Sequence, residues 1–199
     1  MGRCELLIHI VHISTEGSGT LTCAAPTRDT PSDKHSENSE NSEHAATNFL
    51  NISRFLARME ATSIPALSFR TFVLWTMRTA LEFPGTQRPD TILFVPAAAA
   101  WIQIAGAQIL HWNNEYPQGQ RLGAPGRGGP LWEGKHGFCR ERWALWRGRF
   151  GDFATASSGS QEVRKAARQA EERMKEIEAE ARTSSAAVGQ SCQAHQERT

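Results

Sequence analysis

Apolar side chains recur at helical spacing along most of the chain after residue 48. The first group follows Asn51, a residue type that caps helix N-termini. It consists of Ile52, Phe55, Leu56 and Met59. The spacing i, i+3, i+4, i+7 places these side chains on one face of a helix. The pattern therefore predicts a first helix from about Asn51 that ends before Pro65.

Two more helices are predicted before the next long break in periodicity. The second helix has Ser68 as its cap, is apolar on most sides and ends before Pro84, which favours a central place in a bundle. The third covers residues 90–112 and is apolar enough to raise the question of a membrane span. Gln103, Gln108 and the weak insertion tendency of alanine argue against a span. We therefore expect a buried core helix.

Two strongly periodic helices follow a segment rich in glycine and proline, residues 113–137. The fourth helix carries an aromatic stripe of Cys139, Trp143, Trp146, Phe150 and Phe153. The fifth begins after the capping residue Ser160, continues to about Arg182 and carries a thin apolar seam. The seam consists of Val163, Ala167, Ala170, Met174, Ile177 and Ala181. Such a seam can pack on the bundle or pair with a partner helix, so self-association through residues 160–182 stays open.

The predicted fold class is all-α, an irregular bundle of about five helices. The helical domain covers residues 48–182. Residues 1–47 are predicted to be a low-complexity, mostly disordered region, because almost no large apolar residue follows Leu21 within it. Residues 183–199 are predicted to be a disordered tail.

The composition argues against several functional classes. Lys and Arg number 22 against 21 for Asp and Glu, a balance that disfavours a protein built wholly around nucleic acid. The four cysteines are widely spaced and form no C-x-x-C pair, which indicates free thiols in a reducing compartment. No zinc-binding or dinucleotide-binding motif is present. We therefore expect an intracellular, cytoplasmic protein without metal or cofactor.

The densest group of chemically versatile side chains lies where the 113–137 segment meets the fourth helix. The candidate ligand-binding residues are Trp132, Lys135, His136, Cys139 and Arg140. Gly129, Gly134 and Lys135 have the spacing of a phosphate-binding loop. The next residue, however, is His136 rather than the Ser or Thr that binds magnesium, and no strand pattern precedes the loop. We interpret this likeness as chance.

Cys139 supports two interpretations. A place in the first turn of a helix, near Lys135 and His136, favours the thiolate and a reactive thiol. The alternative, which we prefer, is a small apolar residue of the aromatic stripe, because free cysteine is among the most buried residue types.

Basic residues interleaved with tryptophans run from Arg121 to Arg149. This composition is typical of surfaces that grip single-stranded nucleic acid through charge and stacking. Trp143 and Trp146, however, belong to the apolar stripe by their spacing. We therefore interpret the arginines as a solvated face over a buried stripe, paired in part with acidic groups of the last helix. Nucleic-acid binding is disfavoured.

The segment GGPLWEGKHGFCRERW, residues 128–143, resembles the signature of an uncharacterised family of filamentous-fungal proteins. The segments WTMRTALE at 75–82 and VPAAAAWI at 95–102 are similar to the same family. The resemblance spans residues 49–182 and implies a fungal, helical, soluble protein with a domain of unknown function. It supplies no catalytic residues. The family has further helical sequence before residue 53, whereas this chain has low-complexity sequence there. Two explanations stay open: the tail has diverged, or the chain is a truncated or mis-assembled gene product.

No coherent catalytic set is found, so the preferred function is that of a non-enzymatic interaction or scaffold protein. An alternative is a small-molecule binder or enzyme whose site combines the loop 123–137 with the start of the fourth helix. A third is binding of single-stranded nucleic acid through the basic face.

Overall fold

The computed structural model describes residues 34–119, 124–157 and 159–196, and the side chains among them from 44 to 184. Its helices are α1 Lys34–Ala61, α2 Arg70–Leu81, α3 Thr91–His111, α4 Arg140–Thr155 and α5 Gln161–Gln196. A 3₁₀ turn, Pro65–Leu67, precedes α2. An isolated antiparallel bridge joins Glu115 to Gly137 within the described ranges. The prediction of an all-α fold is confirmed.

The chain divides into two compact units, residues 1–45 and residues 46–199. Of the first unit the structure describes the beginning of α1. The second unit contains the rest of α1 and the other four helices. Disorder is predicted for residues 1–47, and of these residues 1–33 lie outside the described part of the chain.

The apolar helix α3 belongs to the core of the second unit, where it packs against α2 and α5. Its buried side chains include Val95, Trp101, Ile102, Ala105, Ile109 and Leu110. By length and composition alone this helix would also suit a membrane span. In the fold its two glutamines are satisfied by the protein: Gln103 donates to the carbonyl of Gln169, and Gln108 to the carbonyl of Ala61. The structure thus places the helix where a core helix is predicted.

The apolar stripes of α4 and α5 face the same core. The aromatic residues Trp143, Trp146, Phe150 and Phe153 of α4 are buried. The seam residues Val163, Ala167, Ala170, Met174 and Ile177 of α5 are buried as well, because α5 packs against both α3 and α4. A Cβ at Gly106 of α3 would lie 2.7 Å from Cδ1 of Ile177, so the glycine admits a close approach of the two helices. The seam therefore packs on the bundle.

The helix boundaries differ from the predicted ones at both ends of the chain. α1 begins at Lys34, well before Asn51, because the intervening sequence contains no glycine or proline to stop it. At the other end Ser160 caps α5 as predicted, with its Oγ accepting a bond from the Glu162 amide at 3.2 Å. The helical backbone then continues to Gln196.

The start of α2 differs from the prediction by one residue. Phe69 occupies the N-cap position instead of Ser68, and no side chain caps the helix there. The buried Glu60 of α1 accepts hydrogen bonds from the Phe69 amide and from Arg70 Nε. A carboxylate from another helix therefore satisfies the chain where a local cap was expected.

Candidate functional site

Backbone hydrogen bonds join the two described parts of the segment between α3 and α4, residues 112–119 and 124–139. We call its residues 124–138 the signature loop. The Tyr116 amide donates to the carbonyl of His136 over 2.7 Å, and the Phe138 amide donates to the carbonyl of Asn114 over 2.9 Å. These bonds close the segment on itself just before α4 begins.

Glu82, directly after α2, binds the signature loop on the side that faces the core. Its side chain is fully buried, and its carboxylate accepts four hydrogen bonds. The donors are Arg142 Nε at 2.7 Å, Arg142 Nη2 at 3.0 Å, Trp146 Nε1 at 2.7 Å and the Gly129 amide at 2.8 Å. A carboxylate offers about four lone-pair positions, so the Glu82 side chain is saturated.

Arg142 of α4 carries the opposite charge and is equally buried. Besides its two bonds to Glu82, its Nη1 donates to the carbonyls of Gly126 at 2.9 Å and Gly137 at 2.8 Å. One guanidinium thus joins α2, α4 and both ends of the signature loop. The prediction that Arg142 belongs to a solvated basic face is wrong, because its charge is met by a buried partner instead of water.

The neighbouring arginines have structural partners too. Arg147 pairs with Glu178 of α5, as predicted for the basic residues near the last helix. Arg149 donates to the carbonyls of Leu81 at 3.0 Å, Phe83 at 3.1 Å and Gly85 at 2.8 Å. These carbonyls lie at and just beyond the C-terminal end of α2, where a positive charge is favoured.

The glycines of the signature loop permit close contacts. A Cβ at Gly129 would lie 2.6 Å from the Glu82 carbonyl oxygen, and one at Gly137 would lie 2.0 Å from the Asn114 carbonyl oxygen. Gly128 and Gly134 would each place a Cβ within 2.5 Å of the Trp132 ring. Packing therefore accounts for the glycine spacing that resembles a phosphate-binding loop, and Glu82 already occupies the Gly129 amide.

The structure separates the five candidate ligand-binding residues. Trp132 and His136 line a common cleft. Lys135 points elsewhere, since its Nζ donates to the carbonyl of Asn113 at 2.7 Å and to its Oδ1 at 2.9 Å. Cys139 and Arg140 lie outside the cleft lining.

Cys139 occupies the N-cap position of α4 and is half-buried. Burial raises the pKa of its thiol, and the hydrogen bond and charge of Glu141 raise this pKa further. The backbone amide of Arg142 acts in the opposite direction and lowers it. The net shift opposes the reactive-thiol interpretation, because less thiolate is present at neutral pH.

The cleft has a volume of about 500 Å³ and opens between the end of α2 and the signature loop. Its lining includes Arg78, Phe83, Arg127, Trp132, Glu133 and His136. Arg78 and Phe83 were not predicted as site residues, because they are distant in sequence and only the return of the loop onto α2 brings them near it. Among the described residues no three His, Cys, Asp or Glu side chains converge as metal ligands would.

A family model described as a protein of unknown function, DUF3632, matches residues 19–150. The match ends within α4 and leaves α5 outside it. It also reaches further toward the N-terminus than the resemblance over residues 49–182, and so includes part of the region predicted to be of low complexity. No curated protein and no solved structure matches the chain.

Proposed function

We propose that this chain, which belongs to the DUF3632 family, is a non-enzymatic interaction protein of the fungal cytoplasm. The segment GGPLWEGKHGFCRERW is then the signature of the family, and the signature loop is its recognition element. The observation that carries the proposal is the buried pair of Glu82 and Arg142, which fixes the loop from beneath.

A fixed loop favours recognition because little conformational entropy is lost when a partner binds. The polar groups that hold the signature loop point inward, toward Glu82 and Arg142. Its exposed outer residues are Arg127, Pro130, Leu131, Glu133 and Gly134. Leu131 is the large apolar side chain among them, with 39% of its surface exposed. We infer that a partner protein covers Leu131.

The enzyme alternative finds less support in the geometry. A nucleophile and a base must lie within hydrogen-bond reach of each other. Cys139 and His136 share no hydrogen bond within the described part of the chain, and burial raises the pKa of the Cys139 thiol. The nucleic-acid alternative loses two of its three tryptophan stacking platforms, since Trp143 and Trp146 are buried and only Trp132 is partly accessible.

Site-specific photo-crosslinking tests the proposal. A photoreactive phenylalanine analogue replaces Leu131 in one variant and Ile92 of α3 in the other. The two side chains are matched, since each is 39% exposed. Both variants are expressed in a filamentous fungus, irradiated, and resolved by denaturing gel and mass spectrometry.

We expect a discrete protein adduct from position 131 and none from position 92. Equal adducts at the two positions, or none at either, would contradict the proposal. Circular dichroism of each purified variant verifies that the helical fold is retained.

A further inference from the structure

The cleft beside the signature loop carries an excess of positive charge. Arg78 and Arg127 line it, and the carboxylate in the lining is that of the exposed Glu133. The cleft lining therefore contains two guanidinium groups and one carboxylate. Beneath the cleft, Glu82 is the nearest buried acid, but its four acceptor positions are taken by Arg142, Trp146 and Gly129.

Neither cleft arginine forms an ion pair within the described part of the chain. The ion pairs found there involve other arginines and Lys175. Arg78 makes a long hydrogen bond, 3.4 Å, from Nη1 to the carbonyl oxygen of Arg127. Burial lowers the pKa of Arg78, and the nearby charges of Arg142 and Arg127 lower it further, while Glu82 raises it. Arg78 thus lies close to two other guanidiniums, and the one buried carboxylate near it already accepts its hydrogen bonds from Arg142, Trp146 and Gly129.

An anion in the cleft would relieve this repulsion. It would accept hydrogen bonds from the guanidinium groups of Arg78 and Arg127. Hydrogen bonds between two ionised groups are stronger than those between neutral groups. The remaining lining contains flat or apolar side chains, Phe83, Pro130 and Trp132. A volume of about 500 Å³ is within the range of small-molecule sites and is larger than an inorganic ion needs.

We propose that this cleft binds a small organic anion with a flat apolar body. Arg78 and Arg127 bind its carboxylate or phosphate group, and Phe83, Pro130 and Trp132 contact its ring. Leu131 is not part of the cleft lining, although its neighbours Arg127, Pro130 and Glu133 belong both to the cleft and to the exposed face of the signature loop. Crosslinking at Leu131 and anion binding in the cleft are therefore separate measurements, and either proposal can fail without the other.

Ligand-observed NMR on the full-length protein tests the site with defined probes. Benzoate and phenyl phosphate carry the proposed chemistry in its two forms. Benzyl alcohol and benzylamine present the same ring with no charge and with a positive charge, and inorganic phosphate presents the charge without the ring. We expect saturation transfer to benzoate or phenyl phosphate at millimolar concentration and none to benzylamine. The anion that binds with the higher affinity shows whether the cleft prefers a carboxylate or a phosphate group.

Three variants locate the binding. Arg127→Gln and Arg78→Gln each remove one guanidinium from the cleft, whereas Arg140→Gln removes an exposed guanidinium outside it. Loss of a charge-assisted bond predicts an affinity about tenfold weaker for each cleft variant, and no change for Arg140→Gln. Arg127 is exposed, so its substitution leaves the fold intact and the test remains valid if Arg78→Gln is unstable.

Three outcomes would overturn the proposal. The first is equal binding of benzoate, phenyl phosphate and benzylamine, which would show a nonspecific ring contact. The second is unchanged anion affinity in Arg127→Gln, and the third is no anion binding by the natural protein at all. Photo-crosslinking at Leu131 is unaffected by any of these outcomes.

Discussion

Glu82 and Arg142 meet through two parallel hydrogen bonds, 2.7 Å between Oε1 and Nε and 3.0 Å between Oε2 and Nη2, with both side chains 0% exposed. The two residues are far apart in sequence: Glu82 lies directly after α2, and Arg142 lies in the first turn of α4. Because each charge would be costly to bury alone, the pair forms only when both elements and the signature loop are in place.

Arg142→Met should therefore destabilise the protein strongly. The substitution leaves the Glu82 carboxylate buried without its counter-charge, which costs about 3–5 kcal/mol. Urea unfolding followed by circular dichroism measures the change. Arg173→Met is the matched control, since Arg173 forms a partly exposed pair with Glu176 and should cost less than about 1 kcal/mol. Similar losses from both variants would refute the structural role of the buried pair.

Glycine-to-alanine substitutions should act in opposite directions at two positions. A Cβ at Gly137 would lie 2.0 Å from the carbonyl oxygen of Asn114, so Gly137→Ala must move backbone and should destabilise by about 1–3 kcal/mol. Gly148 is exposed within α4 with no atom near its Cβ position, so Gly148→Ala should stabilise by about 0.5–1 kcal/mol. Thermal unfolding of the two variants gives the signs. Unchanged or higher stability of Gly137→Ala would contradict the close contact at Gly137, and a loss of stability in Gly148→Ala would contradict the gain expected there.

Met174→Ala tests whether the α5 seam serves the bundle or a partner helix. Met174 is fully buried, and its truncation should cost about 2–5 kcal/mol through the cavity that it leaves. Because the seam packs within one chain, this loss should be the same at protein concentrations about tenfold apart. Glu172→Ala, on the exposed face of the same helix, should change little. A loss that shrinks as concentration rises would instead indicate self-association through the seam.

The Cys139 thiol should react slowly with iodoacetamide at neutral pH. Burial raises its pKa, so the thiolate fraction is below that of a model thiol whose pKa is about 8.5. Peptide-resolved mass spectrometry measures the alkylation rate against pH, and the midpoint should lie above that of the model thiol. Glu141→Gln removes a charge that raises this pKa and should speed the reaction, whereas Glu133→Gln serves as a control. Alkylation faster than the model thiol would revive the reactive-thiol interpretation.

Much of the helical layout could be predicted from the sequence. The aromatic stripe of α4 and the seam of α5 are buried as their spacing predicts, and Ser160 caps α5. Helix periodicity is a local property, because side chains three or four residues apart share a face wherever the chain folds. Boundaries were less accurate, as the early start of α1 illustrates, because polar residues with adequate helix propensity leave no signal where a helix begins.

The candidate site depended on tertiary structure. Arginine is a residue type that is usually exposed, so the sequence predicts Arg142 at the surface. Arg142 is buried because Glu82 lies beside it, and the sequence does not indicate that these two residues meet. Proximity along the chain groups Lys135 and Cys139 with His136, but hydrogen bonds direct Lys135 to Asn113 instead. Arg78 joins Trp132 at the cleft because the signature loop returns to α2.

The sequence by itself determined the all-α class, the apolar face of each helix and the position of the glycine- and proline-rich segment 113–137. These features depend on the periodicity and propensity of residues that are neighbours in the chain. Tertiary structure alone decided that the signature loop is fixed by the Glu82–Arg142 pair, that the α5 seam is covered, and that two arginines line one cleft. Such outcomes depend on contacts between residues distant in sequence, whose energies arise only when the elements are packed together and water is excluded.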